Sequence, residues 1–167
     1  MAFEDFTDWT ETDPKSELLV TTNKIEASGF NSDASSRVVG DYGVAHFTGD
    51  FEHQFEATFT EEAAANFYVL YWLGNGSGNH WDDGEIVLYA GKNSEDFTLY
   101  YSDSVIDGEV GVSGMNWGTK YFITMSRDSG ETTLTVRTTS HTGSVVGTVN
   151  QSTNNTNYRY LGMAGEE

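Results

Sequence analysis

The chain has 167 residues and carries 26 acidic against 8 basic side chains, which gives a formal net charge of −18. This charge disfavours nucleic acids and anionic membrane surfaces as partners, and the basic residues are scattered singly rather than clustered. The absence of cysteine excludes disulfides, a thiolate nucleophile and cysteine-ligated zinc, and no apolar run approaches the roughly 18 residues that a membrane-spanning helix requires.

The chain begins with an acidic segment, MAFEDFTDWTETDPKSE. A secretory signal needs a basic start followed by an apolar stretch, and this segment has neither. We therefore expect no signal peptide, and the length predicts one domain over residues 1–167.

Strand-like segments then follow one another along nearly the whole chain, separated by turn residues. The first are SELLVTT, KIEASGF, SRVVGDYG, DFEHQFEATFT and NFYVLYWL, and the later ones include EIVLYAG, DFTLYYS, TKYFITMSR, TTLTVRTTS and YRYLGMA. A single sheet of such strands would leave one aromatic face in water. The pattern therefore predicts an all-β fold, a jelly-roll sandwich of two antiparallel sheets.

The segment DFEHQFEATFT alternates between aromatic and polar side chains. A strand would turn its aromatic side and His53 inwards, and Glu52, Gln54 and Glu56 outwards. We interpret His53 as a hydrogen-bonded core histidine rather than a metal ligand, because buried polar groups are usually satisfied within the structure. The acidic side is a solvated face, a ligand surface or part of a catalytic cleft, and the general excess of acid favours solvation.

The next segment, NFYVLYWL, is apolar on both sides of an extended chain. Strict alternation places Phe67, Val69, Tyr71 and Leu73 on one face and Tyr68, Leu70 and Trp72 on the other. Such a two-sided strand is expected at the centre of a sheet or in the lining of a groove.

A polar loop, GNGSGNHWDDGE, follows and is the most site-like part of the sequence. An aromatic ring can cover the apolar face of a sugar while carboxylates and amides bond its hydroxyls, so Asn79, His80, Trp81 and Asp83 are the predicted carbohydrate-binding residues. The alternative is that Trp81 covers the edge of the sandwich and the acids are solvated turn residues. Asp82 and Asp83 are also oxygen donors suited to calcium, although their spacing specifies no site.

Catalytic patterns are missing from the sequence. Retaining glycoside hydrolysis needs two carboxyl groups about 5 Å apart, whereas Glu52 and Glu56 in one strand are separated by roughly 13 Å. No metal-binding histidine motif, nucleophile elbow or phosphate-binding glycine loop is present. We therefore expect a protein that is not an enzyme.

Several of these segments together resemble a known group of domains. The blocks VVGDYGVAHFTGDFEHQFEATF, LYWLGN and GTKYFITMSRD are similar to the concanavalin A-like (laminin G-like) jelly-roll domains of phage and environmental sequences. The resemblance implies two curved sheets and glycan recognition by the concave face or its rim loops. In such domains a return strand follows the segment YRYLG, whereas this chain stops at GMAGEE. Either that strand is missing and leaves an open sheet edge, or YRYLGMA is itself the return strand.

These observations lead to a main functional hypothesis and two alternatives. The main hypothesis is a non-catalytic, lectin-like module displayed on a virion or other extracellular surface, which binds a glycan and needs no cofactor, with calcium as an option. The first alternative is a structural assembly protein that contacts other virion or surface proteins, or copies of itself, through sheet edges. The second is a glucan hydrolase with Glu52 and Glu56 as an unconventional acid pair.

Overall fold

The computed structural model describes residues 4–14, 16–27, 36–44, 46–59, 68–76, 84–93, 96–103, 108–152 and 157–166. Within these ranges the chain forms a short 3-10 helix, Phe6–Asp8, and a series of β-strands. The strands are β1 (Thr10–Thr12), β2 (Leu18–Thr21), β3 (Lys24–Ala27), β4 (Arg37–Asp41), β5 (Phe47–Thr48), β6 (Phe51–Thr58), β7 (Tyr68–Gly74), β8 (Gly84–Asn93), β9 (Asp96–Asp103), β10 (Gly108–Met115), β11 (Lys120–Asp128), β12 (Glu131–Arg137), β13 (Val145–Ser152), β14 (Asn157–Tyr158) and β15 (Tyr160–Glu166). In this part of the chain, no helix has the length and apolar character needed to cross a membrane.

Two antiparallel sheets form the body of the protein. The large sheet has seven strands in the order β1-β4-β15-β7-β8-β9-β10, and the small sheet has four in the order β13-β12-β11-β6. The last strand, β15, lies inside the large sheet between β4 and β7. The prediction that YRYLGMA is itself the return strand is therefore confirmed, and the predicted open edge at this strand is wrong because β15 is paired on both sides.

The hydrophobic core lies between the two sheets. Its buried members include Leu73 and Ile86 from the large sheet and Ile123, Met125 and Leu134 from the small sheet. The aromatic side of β6 packs against this cluster as predicted, and Glu52 and Glu56 on the other side are exposed. The alternation in the sequence therefore determines which face of the small sheet is exposed to solvent.

Strand β7 departs from strict alternation. Its register with β8 shifts between Val69 and Tyr71, so Leu70 packs against the main core while Val69 clusters with Trp72 on the opposite face of the sheet. The prediction that Val69 shares a face with Tyr71 is wrong because a β-bulge inserts an extra residue and reverses the side-chain direction. The central position predicted for this strand is confirmed.

The core also contains polar groups. His53 Nδ1 lies 2.7 Å from the Tyr71 hydroxyl, and burial lowers the pKa of His53 to about 4. The Arg127 side chain is only 2 % exposed. Its Nη2 donates to the Phe47 carbonyl at 2.9 Å and its Nε to the Gly49 carbonyl at 2.6 Å. His53 is therefore a hydrogen-bonded core histidine, as predicted.

A close approach between two strands of the large sheet gives a first testable prediction. A Cβ atom at Gly162 would lie 2.0 Å from Nε1 of Trp72, which is 1 % exposed. We expect Gly162→Ala to lower the free energy of unfolding by about 2 kcal/mol, because the buried indole must move. Chemical denaturation measures this loss. Trp72→Leu in the same background should recover part of it, and an unchanged Gly162→Ala variant would contradict the close packing.

Candidate functional site

The outer face of the large sheet, opposite the main core, carries a second buried cluster. Val39, Val69, Trp72 and Val87 form this cluster, and Tyr160 packs against it. The pairing register explains the grouping, because Gly162 stands opposite both Val39 and Trp72, and Trp72 stands opposite Val87. Directly opposite residues share a face of the sheet. The cluster therefore forms an apolar floor on this side of the sheet. Its four members are at most 5 % exposed, so Tyr160 at its border is the part that is partly open to a ligand.

A polar group borders this floor where β4 and β15 meet. Arg159 Nε and Nη2 donate to the two carboxylate oxygens of Asp41, each at 2.7 Å, and the Gly43 amide donates to Asp41 Oδ1 at 2.9 Å. The guanidinium carbon lies 4.8 Å from the ring centre of Tyr160. We call Asp41, Arg159 and Tyr160 the rim site. It combines a bidentate ion pair with an aromatic ring, both partly open to solvent.

The electrostatics of the rim site favour binding over proton transfer. The hydrogen bond from Arg159 lowers the pKa of Asp41 to about 2, and the same bond raises the pKa of Arg159. Both groups stay charged at neutral pH. The pair can thus donate and accept hydrogen bonds at fixed positions, but neither member exchanges a proton under physiological conditions.

Backbone contacts place the rim site beside the root of the β7–β8 hairpin. The Arg159 amide donates to the Gly74 carbonyl at 3.1 Å, and Tyr160 stands opposite Gly74 in the register. Gly74 in turn stands opposite Gly84, so the loop between these glycines starts and ends next to the rim site. That loop contains the predicted residues.

The predicted residues themselves, Asn79, His80, Trp81, Asp82 and Asp83, lie outside the described part of the chain. Their assignment to carbohydrate, and that of Asp82 and Asp83 to calcium, therefore stay predictions. Among the described residues, no group of three or more acidic or histidine side chains is placed to hold a metal ion.

Glu52 and Glu56 each contact a different polar partner. Gln54 Nε2 donates to Glu52 Oε1 at 2.8 Å, and Lys120 Nζ donates to Glu56 Oε2 at 2.7 Å. Both carboxylates are exposed on the outer face of the small sheet. This arrangement fits the solvated face that the sequence favours, and it offers no support for an acid pair.

Comparison with solved structures shows what the architecture is similar to. The chain matches the alginate lyase from Klebsiella pneumoniae with a TM-score of 0.53 and 8 % identity, over 87 % of this chain and 70 % of that one. It matches the marine PL7 alginate lyase AlyA1 from Zobellia galactanivorans with a TM-score of 0.49 and 10 % identity, over 95 % and 84 % of the two chains. The fold is a concanavalin A-like jelly roll. No protein-family model matches the sequence, and no curated protein does.

The sequence contains no local pattern that predicts the rim site. Asp41 and Arg159 are 118 positions apart, and the segments that contain them, GDYG and YRYLG, indicate strands and contribute to the family resemblance but carry no binding pattern. The return strand of a jelly roll must pair with an earlier strand, but this requirement does not identify β4 as that strand. It therefore does not predict that Asp41 and Arg159 lie together.

Proposed function

We propose that this protein is a non-catalytic module that binds a neutral saccharide on the outer face of its large sheet. The observation that carries the proposal is the rim site, where a bidentate Asp41–Arg159 pair stacks on Tyr160 beside an apolar floor. A sugar presents adjacent hydroxyls, which suit a fixed donor and acceptor pair, and an apolar ring face, which suits aromatic surface.

The charge of the chain supports a neutral ligand. The Klebsiella pneumoniae protein that the chain is similar to is an alginate lyase, and alginate is a polymer of negatively charged uronic acids. A protein of net charge −18 repels such a polymer. The guanidinium of Arg159, which would attract a carboxylate, is already neutralised by Asp41. A neutral glycan is not repelled by the acidic chain and does not need an unpaired guanidinium.

The chemistry of the site supports binding without catalysis. The two charged groups of the rim site do not titrate near neutral pH, and His53 lies in the core, hydrogen-bonded to Tyr71. General acid and base catalysis needs a group whose pKa is near the working pH and which reaches the substrate. The virion or extracellular setting, and contacts with other surface proteins, stay predictions.

Binding to a panel of neutral and acidic oligosaccharides tests the proposal. We expect retention on neutral glycans, and calorimetry on the tightest of them should show about a tenfold loss of affinity in Arg159→Met. Asp41→Asn should weaken binding similarly, because the guanidinium loses the partner that orients it. Lys24→Met is the matched control, since it removes another exposed cation that is paired with a carboxylate, Glu26, outside the rim site.

Three results would contradict the proposal in whole or in part. Absence of binding to every neutral glycan in the panel would remove the ligand class. Release of the unsaturated, ultraviolet-absorbing product of β-elimination from alginate would show instead that the chain is a lyase. Equal affinities of Arg159→Met and Lys24→Met would leave the ligand class standing but exclude the rim site.

A further inference from the structure

The outer face of the small sheet is a second polar surface, on the opposite side of the sandwich from the rim site. Its central row crosses all four strands, with Gln54 opposite Thr124, Thr124 opposite Thr135, and Thr135 opposite Thr148. The neighbouring row begins with Glu56, Phe122 and Arg137. We call the surface formed by these two rows the threonine face.

The centre of the threonine face is recessed. Thr124 and Thr135 are each only 8 % exposed, although they point away from the core. Thr148, on the edge strand β13, is exposed. The small hydroxyl side chains in the middle are therefore overlapped by longer neighbours, and we call this covered centre of the threonine face the depression.

Three polar atoms around this depression are buried without a hydrogen-bond partner among the described residues. They are Thr124 Oγ1, Gln54 Oε1 and His141 Nδ1. A buried donor or acceptor without a partner costs about 1–3 kcal/mol, so a cluster of them on one face needs an explanation. A bound polar ligand would supply the missing partners.

A constrained loop closes one end of the depression. The Thr138 amide donates to the Ser144 carbonyl at 2.9 Å, and Thr139 has a φ of +68°, in the left-handed region. The loop sets the His141 ring edge-on to Phe122, with centroids 5.4 Å apart and planes at 86°. Val145, which is 55 % exposed, follows the loop and stands opposite Arg137. The result is an ordered aromatic and apolar platform beside the depression.

The central row of the threonine face carries no charge. Beside it, Lys120 neutralises Glu56 in an ion pair, and Glu52 and Arg137 are of opposite sign, whereas Asp128 and Glu131 lie opposite each other at the far end of β11 and β12. Hydroxyl, amide and imidazole groups each offer both donor and acceptor character, and the matching ligand must do the same. A neutral polyhydroxylated ring, with an apolar face for Phe122, meets this requirement.

We propose that the threonine face is a second, independent binding site for a neutral saccharide. One sugar ring packs on Phe122, and its hydroxyls bond Gln54, Thr124 and His141. Gln54 is the movable part, because its amide bonds the exposed Glu52, and this bond is readily exchanged for water. Rotation of Gln54 uncovers Thr124 Oγ1. The two saccharide sites face away from each other across the sandwich, so a single molecule would cross-link two polysaccharide chains.

Nuclear magnetic resonance of the isotope-labelled full chain tests this proposal. The probes are neutral hexasaccharides of glucose, mannose and galactose at millimolar concentration. We expect one of them to shift the amide signals of Gln54, Thr124 and the 138–144 loop. Thr124→Val should weaken binding at these signals roughly threefold to tenfold. The variant should fold at least as stably as the parent, because the lost hydroxyl has no partner.

Thr132→Val is the matched control. Thr132 lies on β12 in the same sheet and is 1 % exposed. Its hydroxyl likewise has no hydrogen-bond partner among the described residues, but it is on the core side. Its substitution should leave saccharide affinity unchanged. Phe122→Ala should abolish the shifts at the threonine face while leaving those at Tyr160.

The outcomes separate the two sites. Shifts confined to Asp41, Arg159 and Tyr160 would overturn the second site and leave the first. Shifts confined to the threonine face would overturn the first and leave the second. Equal affinity of Thr124→Val and the parent would also overturn the second site, since the hydroxyl would then be satisfied by water alone.

Discussion

Replacing Arg127 by alanine is expected to lower the free energy of unfolding by about 3–5 kcal/mol. The guanidinium donates to the carbonyls of Phe47 and Gly49, and it lies 4.8 Å from the ring centre of Phe51 and 5.4 Å from that of Tyr158. Alanine leaves a cavity, removes the donors of two carbonyl groups and withdraws the cation from two rings. Denaturant unfolding at neutral pH measures the loss.

A second substitution of Arg127 and a control substitution of Arg137 show whether the planar, buried guanidinium is needed. Arg127→Lys keeps the charge but lacks the planar fork, so we expect an intermediate loss of about 2 kcal/mol. Arg137→Ala, on the outer side of the neighbouring strand, should cost less than about 1 kcal/mol because that side chain is half-exposed. If Arg127→Ala and Arg137→Ala were equally stable, the buried guanidinium would not be holding the segment between β5 and β6.

The sequence predicted the elements whose side chains alternate without interruption. In β6 and β11, every second residue faces the core, and the register between them places Ile123 opposite Phe55 and Met125 opposite His53. Period-2 alternation is a property of the backbone alone, so it survives in any sheet that buries one face. The sandwich class followed from the number of such strands.

The positions of other residues could not be predicted, because they depend on how strands pair and not on the pattern within one strand. The bulge that reverses Val69 has no marker in NFYVLYWL, because every residue there is apolar or aromatic and fits either face. The Asp41–Arg159 pair depends on the strand order of the large sheet, which local patterns do not encode. The candidate site therefore could not be predicted from local patterns, because they do not determine the order of the strands in the sheet.

The two outer faces differ in what they offer a ligand. The large sheet presents Tyr160 and a charged pair at the border of a buried apolar floor, whereas the small sheet presents a row of hydroxyl and amide groups next to Phe122. At the rim site, most hydrogen bonds to a ligand would come from a charged pair, whereas at the threonine face they would come from neutral groups. Because the proposed ligand is neutral, we expect salt to change the affinity of either site only slightly, and at the rim site only through screening of the exposed Asp41–Arg159 pair.

Acidification should weaken the folded state through His53. Burial is the main cause of its low pKa, with smaller contributions from the charges of His46 and Arg127, and the pKa falls from 6.5 to about 4. The unfolded chain therefore binds a proton more readily than the folded chain. Stability from this group is fully present above pH 6.5, the pKa of the unfolded chain, and is lost as the pH falls towards the folded value. The loss amounts to about 3 kcal/mol by about pH 4.

His53→Asn isolates this effect, because asparagine places a hydrogen-bonding atom near Nδ1, which contacts Tyr71, but does not titrate. Protonation of the many surface carboxylates relieves the repulsion of a chain at −18, and it does so equally in both proteins. The difference in unfolding free energy between parent and variant should therefore move in favour of the variant by about 3 kcal/mol between about pH 7.5 and about pH 4. Denaturant titrations at several pH values measure it. Parallel stability profiles would mean that His53 is hydrated in the folded protein, since burial is the main cause of the coupling between folding and this proton.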